Sequence, residues 1–86
     1  MQSKDEIQSI TDERGVQYGD FTTQGMIAQD LKDMMRAHPG WNRLKSYQRE
    51  ALDMIMHKVS RIINGNPNNH DSWIDIAGYS KIERIS

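Results

Sequence analysis

The chain has 86 residues, no cysteine, and 11 basic against 12 acidic side chains for a formal net charge of −1. That length makes one domain that buries only about 60–65% of its unfolded surface, and the missing cysteines exclude a disulfide framework and a thiolate metal site. Near-neutral charge excludes a general attraction to nucleic acid, and the lack of a long apolar run or an apolar leader points to a cytoplasmic protein without a membrane partner.

Ser3 followed by Glu6 has the form of a capping box and predicts a short helix over Lys4 to Glu13. Ile7 and Ile10 are its only sizeable apolar residues, so it is weakly anchored. Gly15 ends it, and Arg14 to Phe21 (RGVQYGDF) follow as a loop in which two glycines open backbone angles closed to other residues. Thr22 or Thr23 can cap a second helix from Gln24 to Ala37, with Ile27, Ala28, Leu31, Met34 and Met35 as its core stripe. His38-Pro39-Gly40 then breaks the chain, and Trp41 and Leu44 fold back as an apolar plug.

Ser46 is the expected cap of a long helix that ends near Asn64 to Gly65. At about 100° per residue, Leu52, Ile55, Met56, Val59, Ile62 and Ile63 fan out on one side with Met54 on the far edge. The arc spans roughly 200°, about twice the stripe of a helix with one covered face. This helix is therefore expected to be central, touching neighbours on two sides or a second copy of the chain. Glu50, Asp53, His57, Ser60 and Arg61 form the opposite, polar side. Lys58 is the exception, a cation inside the apolar edge that requires an anionic partner. Pro67 keeps Asn64 to Asn69 (NGNPNN) from continuing the helix, and Asn69 or Asp71 begins a last helix reaching Arg84. On that helix Trp73, Ile76, Ala77 and Ser80 share one side, while Asp71 and Asp75 lie a turn apart. Nothing alternates with period two. The expected class is all-α, a small bundle of three to four helices completed by oligomerisation.

The blocks ERGVQYGDF (Glu13 to Phe21), QREALDMIMHKVSRIINGNP (Gln48 to Pro67) and DSWIDIAGY (Asp71 to Tyr79) resemble a family of small helical proteins of tailed bacteriophages and prophages. That resemblance implies an infected bacterial cytoplasm as the setting and no catalytic residues. Phages encode compact helical oligomers that sequester nucleotide-derived immune signals, so it also implies a counter-defence role. The residue types suit that ligand. Arg14, Lys58 and Arg61 offer cations for phosphate, and Tyr18, Trp73 and Tyr79 offer faces for a base. The competing view is structural: aromatics at helical spacing are usually core, and an isolated arginine usually faces solvent.

An enzymatic alternative uses the acids. Glu50-x-x-Asp53 followed by Asp71-x-x-x-Asp75 resembles the acidic pairs of MazG-type nucleoside triphosphate pyrophosphohydrolases, in which carboxylates on facing helices hold magnesium against the phosphates. The second pair departs from that spacing, and Lys58 and Arg61 would compete with the metal. In the plainer reading the first pair is solvated and the second pairs with Lys58 or Arg61. A third alternative is inhibition of a host protein through the apolar helix surface. His38, His57 and His70 match no ligand spacing, and the NGNPNN stretch reads as a turn, with a recognition loop as the lesser alternative.

Overall fold

The structure is a computed structural model that describes residues 17–82. Among the described residues the secondary structure is all-helical: α-helices α1 (Phe21–Ala37), α2 (Ser46–Asn64) and α3 (His70–Ser80) run in that order, with a 3-10 turn over Pro39–Arg43 between the first two. The helix expected over Lys4 to Glu13 lies outside the described residues. The loop expected from Arg14 to Phe21 proves shorter, because Gln17 and Tyr18 already have helical geometry.

Asp20, with extended backbone, caps α1, and its carboxylate accepts the Thr23 N–H at 2.8 Å. That cap adds a turn ahead of the expected start at Gln24, since an aspartate beside the free first-turn N–H groups outcompetes the two threonines inside the turn. Thr23 and its neighbours also hold the Asp20 carboxyl below its usual range by hydrogen bonding. At α2 the cap position is Lys45 rather than Ser46, and the Gln48 side chain closes it by accepting the Lys45 N–H at 2.9 Å. Asn69 caps α3 by accepting the Ser72 N–H at 3.2 Å.

The helices pack as antiparallel neighbours around α2. At one end of the α1–α2 pair the Asn64 side chain donates to the Tyr18 and Asp20 carbonyls. At the other, Arg36 reaches Asp53 at 3.2 Å. Lys58 joins α2 to α3 through Asp75 at 3.0 Å.

The residues buried most completely are small or polar: Ala28, Ala51, Gln24, Ser60 and Ser72. Ser60, placed on the polar side of the wheel, is fully buried. Asp53 and Asn64 mark the side of α2 that meets α1, and Ser60 lies between them on the same stripe. Its short side chain lets the helices approach, and its hydroxyl is satisfied by donating to the His57 carbonyl. The polar side of α2 is thus a helix interface, and its apolar arc is only partly covered. Met34, expected in the α1 stripe, is 75% exposed at the edge of that stripe. On α3 the covered side is Ser72, Asp75, Ile76 and Tyr79, whereas Trp73, Ala77 and Ser80 face outward. The wheel grouped Ile76 with the wrong neighbours because α3 packs through a serine and an aspartate, which apolar counting ignores.

Candidate functional site

The site begins where residues 17–20 cross the end of α2. A side chain on either crossing glycine would strike backbone: a Cβ on Gly65 would lie 2.5 Å from the Tyr18 carbonyl carbon, and one on Gly19 would enter Asn64. Gly19 also has φ +75°, a left-handed conformation that favours glycine. With both side chains absent, the two segments touch main chain to main chain. The Asn66 N–H donates to the Gln17 carbonyl at 2.7 Å, the Asn64 amide bonds the Tyr18 and Asp20 carbonyls at 2.8 and 3.0 Å, and the Asn69 amide donates to the Gln17 side chain at 3.0 Å.

This lock sets Tyr18 beneath Arg61, whose guanidinium carbon lies 4.4 Å from the ring centroid. A guanidinium over a tyrosine face gains from the ring quadrupole. The Arg61 Nε is buried with no hydrogen-bond partner among the described residues.

Beside the pair opens a cleft of about 400 Å³, lined by Gln17, Tyr18, Asn66, Asn68 and Asn69, with His70 and Asp71 from the first turn of α3. Some of its carboxamide atoms are bonded internally, Gln17 Oε1 to the Asn69 amide, Asn66 Oδ1 to the Asn68 N–H and Asn69 Oδ1 to the Ser72 N–H. The Gln17 and Asn66 amino groups and the Asn68 carboxamide are the donors and acceptors left for the edge of a heterocyclic base. The loop forming the floor is braced twice. Asn66 Oδ1 accepts the Asn68 N–H at 2.9 Å, and the Trp73 indole donates to the Pro67 carbonyl at 2.8 Å.

Of the residues expected to bind a ligand, the structure therefore brings Tyr18 and Arg61 together. Arg14 lies outside the described residues. Lys58 is held by Asp75 with its own side chain 13% exposed, which realises the internal partner rather than an open phosphate position, while Asp71 stays exposed. Trp73 serves as a brace for the loop. Tyr79 stands away from Tyr18, at the other end of α3, in a second and largely apolar cleft of about 310 Å³ with Leu44, Leu52, Ile55 and Ile82. Gln17, Asn66 and Asn69 were missed as site residues. The signal for Asn66 and Asn69 is the density of carboxamides in NGNPNN, which turn chemistry alone accounts for, and Gln17 carries no such signal.

The acids named for magnesium do not gather, and among the described residues no three histidines or carboxylates could hold a metal together. Glu50 is exposed, Asp53 is taken by Arg36, and Asp75 is taken by Lys58. His38 accepts the Gly40 N–H at 3.0 Å in the 3-10 turn. His57 on α2 has its pKa lowered, first by burial and then by the charges of Arg61, Lys32 and Lys58.

A family profile, described as a domain of unknown function (DUF6378), matches residues 4–85. The chain belongs to the DUF6378 family. The match takes in the YGDF, NGNP and DSWIDIAGY blocks together, so the lock, the stacked pair and the carboxamide cleft all lie inside the DUF6378 region. No curated protein and no solved structure matched the chain.

Proposed function

We propose that the protein binds a nucleotide or a nucleotide-derived signal in the carboxamide cleft, and that sequestering it serves phage counter-defence. The observation carrying this reading is Tyr18, which lines the cleft and carries the Arg61 guanidinium over its ring. Tyr18 presents an aromatic surface, the asparagines and Gln17 match a base edge, and Arg61 supplies an anion-binding fork. The cleft is lined mainly by carboxamides, which recognise without exchanging protons at neutral pH, so the site is read as one for binding. Thermal melting with a panel of linear and cyclic nucleotides and adenosine-diphosphate-ribose derivatives tests it. A ligand at 100 times its dissociation constant adds about 2.7 kcal/mol to the protein that binds it. Asn66→Ala removes the shift for a true ligand, and a panel without any shift overturns the reading. Magnesium-dependent pyrophosphate release from a triphosphate would instead favour the acidic alternative.

A homo-oligomer is the second part of the proposal, supported by apolar surface that one copy leaves open: Phe21 is 80%, Met34 75% and Ile63 62% exposed. Light scattering at micromolar concentration is expected to give more than one chain per particle. Because Ile63 is exposed, Ile63→Glu should split the particle into folded monomers. A wild-type monomer removes the oligomer and leaves a host-protein surface as the use of these residues.

A further inference from the structure

The two contacts that set the α1–α2 register place a row of cations along one seam. Arg36 of α1 meets Asp53 of α2, so one turn back along α1 and one turn forward along α2 bring Lys32 level with His57. A further turn along α2 reaches Arg61, whose guanidinium lies over Tyr18. Asp53, His57 and Arg61 form one i, i+4 stripe, and Lys32 and Arg36 form the stripe opposite. Carboxylates flank this row: Asp53 bonds Arg36 through Oδ2 while its Oδ1 is buried without a hydrogen-bond partner among the described residues, and Asp75 of α3 holds Lys58. Between those pairs Lys32, His57 and Arg61 have no carboxylate partner among the described residues, and the Arg61 Nε is buried unbonded.

We propose that this seam binds a group carrying two or more negative charges, and that His57 takes up a proton as the anion enters. The proposal rests on the nucleotide reading above and deepens it, assigning the ligand's phosphates to the seam and its base to the carboxamide cleft. In the free protein, burial and the charges of Arg61, Lys32 and Lys58 hold the His57 pKa below its ordinary value. An anion set among Lys32, His57 and Arg61 cancels that repulsion and accepts a hydrogen bond from the imidazolium, so the bound state favours the charged ring. Binding then strengthens as pH falls, by up to tenfold per pH unit between the free and bound His57 pKa values.

The test is a nuclear magnetic resonance titration of the His57 imidazole in sodium chloride and in sodium sulfate at matched ionic strength. Sulfate is the probe because it remains a dianion across the range and adds no titration of its own. The expected result is a His57 pKa higher in sulfate, with the difference lost in Arg61→Gln and reduced in Lys32→Gln. Equal pKa values in the two salts overturn the proposal. Nucleotide melting separates the two readings. A nucleotide shift without a sulfate effect leaves the cleft as a binding site and removes the seam. A sulfate effect without a nucleotide shift keeps the anion seam and removes the base-binding reading.

Discussion

Replacing Gly65 by alanine tests the idea that the site is built on main-chain contact. The new methyl group would lie inside van der Waals distance of the Gln17 carbonyl oxygen and the Tyr18 backbone, which cannot rotate away as a side-chain tip can. Either residues 17–20 lift from the end of α2 or the turn after α2 shifts. Four hydrogen bonds are exposed to that movement: Asn66 N–H to Gln17, two from the Asn64 amide, and Asn69 to Gln17. At about 0.5–1.5 kcal/mol each, losing half of them costs about 1–3 kcal/mol. That is a large fraction of the stability of about 4–13 kcal/mol ordinary for a chain of this length. At about 4–8 °C per kcal/mol for a small domain, melting followed by circular dichroism should fall by roughly 4–24 °C. The Arg61–Tyr18 stack should loosen with it. Gly78→Ala is the control, because a Cβ there meets open space within a helix. It is expected to stabilise by about 0.5–1 kcal/mol through helix propensity. A Gly65→Ala protein that melts with the wild type would refute the argument that main-chain approach at this crossing holds residues 17–20 in place.

Asp75→Asn strands the ammonium of Lys58 and should cost about 1–3 kcal/mol in urea unfolding. Lys58→Met should cost less, because the Asp75 side chain is 44% exposed and water can replace its partner; equal losses would show that a stranded Asp75 costs as much as a stranded Lys58 and refute the exposure argument. Trp73→Phe keeps the ring and removes the indole bond to the Pro67 carbonyl, so a loss of about 0.5–1.5 kcal/mol is expected, with faster amide exchange at Asn68 and Asn69 as the local readout. The lowered pKa of His57 means that the unfolded chain binds more protons than the folded one below the ordinary histidine pKa of about 6.5. This contribution is complete above that pH, and stability declines as pH drops through about 6.5 toward the folded-state value. His57→Gln should flatten that part of the stability–pH curve, and an unchanged slope would place its origin elsewhere.

Helix content, helix order and the central place of the long α2 were legible in the sequence, because they follow from local rules: apolar periodicity, the His38-Pro39-Gly40 break and the stop at Gly65. The wide apolar arc and the misplaced Lys58 were visible for the same reason, and Lys58 found its acid on the next helix. Tertiary structure decided which side of each helix is covered. Ser60, Ser72 and Asp75 pack where helices approach closely, and close approach selects small or paired side chains that hydrophobic patterning does not count. It also decided that the YGDF and NGNP blocks, more than forty positions apart, form one site, joined by bonds from Asn64 to Tyr18 and Asp20. A glycine and an asparagine announce a turn to any local reading. That each glycine makes room for the other segment's backbone depends on the antiparallel register of α1 and α2, and only packed helices establish that register.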